Sequence, residues 1–165
     1  QFDYYDGGGL DITYLGLAEV DQYGNLNVSK FSGRVVGPGG FINISQSAKK
    51  VAFCGTFTAG GLKTEIKDGK LNIVQEGRNK KFKKNVEQIT FSGQYAIESG
   101  QQIFYITERA VFQLAQEGLV LIEIAPGVDL EKDVLAQMEF RPVISPDLKL
   151  MDGNLFLDKP MNLKL

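Results

Sequence analysis

A chain of 165 residues, 43% hydrophobic and 23% charged, has the length of one domain or a large piece of one, and the composition of a globular protein that buries a core. Its net charge of −2 argues against a polycation built for nucleic acid or an anionic membrane, and no apolar run reaches membrane-spanning length. With no histidine and one cysteine, Cys54, it excludes Ser–His–Asp and Cys–His catalysis, histidine-ligated and thiolate zinc sites, and an internal disulfide.

Catalysis would therefore fall to carboxylates, Lys, Tyr, Ser, Cys54 or backbone dipoles. A lone cysteine fits a reducing cytoplasm. The chain starts Gln1-Phe2-Asp3, with neither an initiator Met nor a signal-peptide pattern, and reads as a piece of a longer polypeptide.

In chain order, Gly7-Gly8-Gly9 forms a flexible turn that feeds residues 10–20, a mostly apolar run read as one largely buried strand. Residues 21–25 form a turn and 26–28 a short strand. A basic loop, 30–34, precedes Gly37-Pro38-Gly39-Gly40-Phe41-Ile42-Asn43, and a helix is predicted over 41–50. Residues 51–57 form a second buried strand, so the helix sits in a crossover between strands. Cys54, inside that strand, reads as a small buried hydrophobe, with a nucleophilic thiolate as the alternative.

The glycine-rich stretch is the centre of the organisation. Three glycines within four residues let the backbone approach a ligand with no Cβ in the way, and Pro38 stiffens the loop. If a helix starts near Gly39 or Gly40, its first N–H groups lack helical partners and favour negative charge in front of them. That describes a cradle for a phosphate, a carboxylate or a developing oxyanion. The plainer reading is a turn that caps a helix. In an open α/β sheet, ligands sit beyond the carboxyl ends of strands, where this loop is expected.

Downstream, 62–66 and 71–74 read as a β-hairpin turned by Asp68-Gly69. The basic run 77–84 (GRNKKFKK) reads either as a solvated loop or as a contact for the phosphates of a nucleotide-bearing cofactor. Segments 86–92, 102–107, 110–114 and 120–124 read as strands, which makes the middle of the chain mostly antiparallel. Residues 129–138 follow Pro126-Gly127 as a helix with Asp129 as N-cap. Residues 140–144 form a last short strand. The tail, 147–165, is periodic in neither sense and is expected along a partner surface or on the rest of the polypeptide.

These residues carry a family resemblance. Tyr5-Asp6-Gly7-Gly8-Gly9-Leu10-Asp11, Leu15-Gly16-Leu17-Ala18-Glu19-Val20-Asp21, Gly24-Asn25 and Asn27-Val28-Ser29 resemble blocks of the family I CoA-transferases. So do Gly37-Pro38-Gly39-Gly40-Phe41-Ile42, Ala48-Lys49-Lys50-Val51, Gly55-Thr56-Phe57-Thr58-Ala59-Gly60-Gly61, Thr107-Glu108-Arg109-Ala110-Val111-Phe112 and Glu123-Ile124-Ala125-Pro126-Gly127-Val128-Asp129-Leu130. The blocks keep their order over nearly the whole chain. They are closest to the fused acetate, propionate and short-chain acyl-CoA:acetate enzymes.

The resemblance implies an α/β fold with an open mixed sheet of the NagB/RpiA-like CoA-transferase type and an antiparallel β-rich middle section. Residues 1–165 would be the carboxyl-terminal portion of the β-subunit-like domain of a larger two-domain chain. It implies ping-pong transfer of CoA between carboxylic acids through a glutamyl-CoA thioester, in acyl-CoA, short-chain fatty-acid and ketone-body metabolism. The substrates would be acyl-CoA and carboxylates, with coenzyme A as substrate and no tightly bound cofactor or metal. Expected partners are the amino-terminal part of the same polypeptide and a homo-oligomer, without nucleic acid or membrane. A non-catalytic acyl-CoA-binding module or an acyl-CoA hydrolase are the alternatives.

By the same resemblance, the family's Gly-x-Gly-Gly motif falls on Gly37, Gly39 and Gly40. The Gly39 and Gly40 N–H groups are the expected oxyanion donors, with Gly37, Gly39, Gly40 and Phe41 contacting CoA. The family's catalytic glutamate lies upstream of Gly7-Gly8-Gly9, where none of the six preceding residues is Glu. Glu98-Ser99-Gly100 looks like the start of that glutamate motif, but Ile103 replaces its second Gly and the order is wrong, so it reads as a hairpin turn. Glu19 and Glu108 match family blocks as structural carboxylates.

Overall fold

The computed structural model describes residues 1–161. Its centre is a six-stranded mixed sheet: β1 (Ile12–Gly16), β2 (Lys50–Cys54), β3 (Gln102–Ile106), β4 (Ala110–Ala115), β5 (Gly118–Ile124) and β6 (Val143–Leu150). Order in the sheet follows order in the chain. The first three strands run parallel, β4 and β5 alternate against them as a meander, and β6 returns parallel to β5.

Helices α1 (Phe2–Asp6), α2 (Phe41–Ser47) and α3 (Gly93–Glu98) are short. Alternation along the strands sends Leu15, Val51, Phe53, Ile103, Tyr105, Phe112 and Leu121 to one face, where they join Leu26, Phe57, Phe82, Phe91 and Ala96 in the main core. Phe53 is its hub: Phe41 stacks on it at 5.7 Å, and Phe91 meets it edge-on at 4.9 Å. A smaller cluster of Leu71, Ala125, Met151 and Phe156 lies beside Val111 and Val128. At the β1 end, Ile12 and Tyr14 stay 46% and 68% exposed.

The open mixed sheet is as expected, and several element boundaries differ. The run 10–20 is two strands. The Leu17 N–H still donates to Cys54 O of β2; beyond it the chain leaves the main sheet, and the Val20 N–H donates to Lys81 O. Glu19–Asp21 then pairs with Leu26–Asn27 and Phe82–Lys83 in a small sheet. The helix expected over 41–50 stops at Ser47, because Ala48 is extended (φ −70, ψ 138) and Lys50 already belongs to β2. Gln101 Nε2 caps it, donating to the carbonyls of Ser45 and Ala48 at 3.0 and 2.6 Å.

The strand expected over 51–57 ends at Cys54. Beyond it the Phe57 N–H donates to the Glu108 carboxylate rather than to a neighbouring strand. Residues 86–92 form no strand: the N–H groups of Thr90 and Phe91 both donate to Leu26 O, which breaks any ladder. The 129–138 helix is a π turn (Leu130–Val134) followed by a 3₁₀ turn (Leu135–Gln137), with Asp129 as the expected cap on the Lys132 N–H. The last strand is longer than 140–144, and it takes in 147–150 of the supposed tail. Gly153–Phe156 packs on the smaller cluster; residues 162–165 lie outside the described chain.

The hairpin is as read, Lys63–Lys67 against Lys70–Gln75, with Asp68 and Gly69 both at positive φ (53 and 71). The basic run contains two short strands, Asn79–Lys80 and Phe82–Lys83, and Phe82 is fully buried.

Candidate functional site

Parallel β1 and β2 end at Gly16 and Cys54, and the glycine loop lies over those carboxyl ends. A cavity of about 370 Å³ there is lined by Gly16, Leu17, Ala18, Val28, Gly37, Pro38, Phe41 and Cys54. The site thus stands where open α/β sheets bind ligands.

The loop is held from behind. The N–H groups of Val36 and Gly37 donate to Ser29 O at 2.8 and 3.3 Å. Ser29 is fixed by Asn27, whose Oδ1 accepts from the N–H groups of Ser29 and Lys30, both at 3.1 Å. The fully buried Asn27 donates in turn to Glu19 Oε2 at 2.9 Å and to Lys30 O at 2.6 Å. Ser29 Oγ and Thr90 Oγ1 also share a hydrogen bond of 2.8 Å. Sequence reading gave Asn27 no role; its place in the Asn27-Val28-Ser29 block was the available signal.

Gly37 and Gly39 take positive φ, 82 and 56, and a Cβ added to either would meet no atom within 4 Å. Glycine is required here by backbone angle, and the space beside the loop is open. Gly40 has φ −82 and caps α2 without a side chain. Among the described residues, the N–H groups of Gly39 and Gly40 donate to nothing in the chain, whereas the Phe41 N–H donates to Pro38 O.

Of the residues expected to contact CoA, Gly37 and Phe41 line the cavity, and Gly39 and Gly40 do not. With only seven residues, α2 carries little macrodipole, so any anion at the loop is held by individual N–H groups.

Cys54 also departs from the reading as a buried hydrophobe. As the last residue of β2 it points to the face with little cover and is exposed. Partial burial still pushes its thiol above the ordinary value.

Beside the cavity is an ionic cluster that sequence reading did not anticipate. Arg109 is fully buried. Its Nε donates to Glu108 Oε1 at 2.7 Å, its Nη1 to Glu76 Oε2 at 2.6 Å and to Asp133 O at 3.0 Å, and its guanidinium lies 5.0 Å from the Phe57 ring centroid. Burial acts to raise the Glu76 carboxyl, but Arg109, the Thr58 hydroxyl and the Gly77 N–H outweigh it and hold it below its ordinary value. Lys81, also buried, donates to Thr56 O at 2.7 Å. Burial pulls its ammonium below the usual value, and Glu108 partly restores it.

Glu19 and Glu108 are thus hydrogen-bonded structural carboxylates. Glu98, read as part of a hairpin turn, is instead the last residue of α3 and exposed. Among the described residues no group of three or more His, Cys, Asp or Glu could hold a metal, and no helix is long and apolar enough to cross a membrane.

A glycine loop over the ends of parallel strands, braced by buried polar residues, defines the candidate ligand site of an open α/β sheet. No protein-family model matches the chain. It is 64% identical over all 165 residues to the acetate CoA-transferase YdiF of Escherichia coli K12, spanning 31% of that relative's length. It is 33% identical over 152 residues to the acetate CoA-transferase subunit beta of Haemophilus influenzae, covering 92% of this chain and 58% of that one. The crystal structure of the E. coli O157:H7 acyl-CoA transferase YdiF in a thioester complex with CoA superposes on 99% of this chain and 32% of that chain, with a TM-score of 0.97. The chain is similar to these CoA-transferases along its full length and spans about a third of the YdiF relatives' own length.

Proposed function

We propose that this chain is the carboxyl-terminal portion of the β-subunit-like domain of a CoA-transferase. In the intact polypeptide it moves CoA between a short-chain acyl-CoA and a carboxylic acid such as acetate. The observation that carries this reading is the 64% identity to an acetate CoA-transferase, sustained over every residue of the chain.

The chemistry is ping-pong. An upstream glutamate carboxylate attacks the acyl-CoA carbonyl, and the C–S bond breaks to release CoA thiolate and leave a mixed anhydride. The thiolate attacks the glutamyl carbonyl, and the C–O bond breaks to release the acyl carboxylate and leave a glutamyl-CoA thioester. The acceptor acid then runs the sequence in reverse. A carboxylate nucleophile needs no proton relay, in keeping with a chain that has no histidine.

Each tetrahedral intermediate carries an oxyanion. The free N–H groups of Gly39 and Gly40 are its donors in this reading, and one such donor is typically worth ~2.7–4 kcal/mol of barrier. Gly37 and Phe41 contact CoA from the wall of the cavity. The intact enzyme assembles as a homo-oligomer in the cytoplasm, a reducing compartment that suits the exposed free thiol of Cys54.

The test is borohydride trapping on the intact polypeptide. After incubation with acyl-CoA, borohydride reduces a glutamyl thioester and leaves free carboxylates untouched. One modified glutamate upstream of Gln1, with loss of activity and protection by acceptor acid, is the expected result. Modification at Glu98, or none anywhere while CoA still binds, overturns it.

A further inference from the structure

The glycine loop is anchored at both ends. At its far end the Phe41 N–H donates to Pro38 O and the Ile44 N–H to Gly40 O, both at 3.1 Å, which ties the loop to α2. At its near end one atom, Ser29 O, accepts from the N–H groups of Val36 and Gly37. Pro38 alone separates Gly37 from Gly39, and its ring fixes its φ. A displacement of Ser29 O therefore passes to the Gly39 N–H.

Asn27 holds Ser29 from behind. An amide side chain can donate twice and accept twice, and the Asn27 amide does both in full. Its Oδ1 accepts from the Ser29 and Lys30 N–H groups, and its Nδ2 donates to Glu19 Oε2 and Lys30 O. A turn that needed only a cap would be served by an acceptor such as Asp or Ser. Here the donors are used as well, in a fully buried position, and Glu19 lies directly opposite Asn27 on the paired strand. The amide is thus locked on both sides, and Ser29 O inherits its place from that lock.

We infer that Asn27 is a positioning residue for the transfer reaction: held by Glu19, it fixes Ser29 O and, through it, the N–H groups of Gly39 and Gly40 that face the oxyanion. The inference rests on the transferase reading for its reaction. It predicts an effect on the rate of turnover rather than on the binding of substrate, because Asn27 is buried behind the loop and lines none of the cavity beside it.

The experiment uses the intact polypeptide, with rates taken per borohydride-trappable thioester so that loss of folded protein does not enter. Asn27→Asp keeps the shape and the acceptor atoms, removes both donors, and puts a carboxyl oxygen where Nδ2 now stands 2.9 Å from Glu19 Oε2. Two carboxyl groups that close hold one proton between them and lose it as pH rises. The expected result is a kcat lower by about 10²-fold near pH 8, with KM for acyl-CoA within about twofold of wild type, and a kcat that recovers toward about pH 6 as the shared proton restores the donor. The other charges near the pair are Lys30, 3.6 Å from Glu87, and the residues that share a cavity wall with Glu19: Arg78, Lys80, Lys81, Lys83 and Glu139. All are present in both proteins, so the ratio of variant to wild-type profiles isolates the pair. Asn27→Asp combined with Glu19→Gln reverses the pair, with the amide now donating to the carboxylate, and should recover most of kcat near pH 8 and remove the acid recovery. Hydrogen exchange at the Val36 and Gly37 amides should be faster in the single variant and return toward wild type in the double.

Faster exchange with kcat unchanged, a fall in kcat with no acid recovery, or a change confined to KM overturns the inference. If the wild type transfers no CoA, the transferase reading fails on its own. Exchange at Val36 and Gly37 that still follows the Asn27 and Glu19 substitutions then shows the brace setting the loop, and exchange that ignores them overturns the brace as well.

Discussion

Arg109 is the largest fully buried side chain, and it keeps its charge because two carboxylates and a carbonyl surround it. Arg109→Leu removes the cation and strands Glu76 and Glu108. It should cost about 3–5 kcal/mol, read as a lower midpoint in urea unfolding. Glu76 also sets a pH dependence. Its folded carboxyl titrates below its unfolded value, so its contribution is full above the unfolded value of about 4.3 and is lost as pH falls through the folded one. Glu76→Gln should flatten the acid limb of stability measured between about pH 5 and pH 2. Cys54 gives a third readout at this scale. Its thiol is exposed but shifted upward, so iodoacetamide should label it more slowly at neutral pH than an unperturbed cysteine, with the rate rising as the pH is raised. A fast reaction at neutral pH would show a thiolate and contradict the environment described.

Among the elements, the glycine loop separates two positions that look alike in sequence. Gly39 sits at φ 56, where a side chain is strained by roughly 1–2 kcal/mol; Gly40 sits at φ −82, and a methyl there would rest 3.6 Å from Ile44 Cδ1. Gly39→Ala in the intact enzyme should shift the loop and lower kcat by about 10²-fold. Gly40→Ala should fold with stability within about 0.5 kcal/mol of wild type. Thermal melts and transfer kinetics on the pair check both. Equal effects would mean that backbone angle does not govern the loop. What could be read from the sequence follows the same division. The loop, the strands after residue 100 and the Asp68-Gly69 hairpin announce themselves by glycine spacing, alternation and turn chemistry. The break at Leu17-Ala18 and the early end of α2 do not. They are set by partners distant in sequence, such as Lys81 O for the Val20 N–H and Gln101 for the carbonyls of Ser45 and Ala48. The brace behind the site was hidden for the same reason: Glu19, Asn27 and Thr90 mean little until the fold joins them.

At the scale of the whole molecule, the sheet has one well-packed face and an open border. β1 is an edge strand among the described residues, and beside its unpaired backbone Ile12 and Tyr14 remain exposed. A parallel edge with apolar side chains is a template for association. The 165-residue chain on its own should self-associate as concentration rises, measured by light scattering, and Tyr14→Lys should suppress this without lowering the melting temperature. A monomer at every concentration would mean that the edge is protected in some other way. In the intact polypeptide the same border is expected to be covered, and Tyr14 should become shielded from solvent quenchers.

The coincidence of strand order and chain order also bears on how the sheet assembles. β3, β4 and β5 are joined by links of three and two residues, closed by hydrogen bonds between Thr107 and Ala110 and by Gly118 at φ 102. Bringing β1 to β2, and β2 to β3, instead closes segments of 33 and 47 residues. Short links cost little chain entropy and close fast, whereas the parallel pairs must wait for distant contacts. Pulse-labelled hydrogen exchange during refolding should therefore find amides of the meander protected before those of Val51 and Phe53. The glycine loop, stretched between the two late strands, would then take shape last, so the site is the final part of this chain to exist.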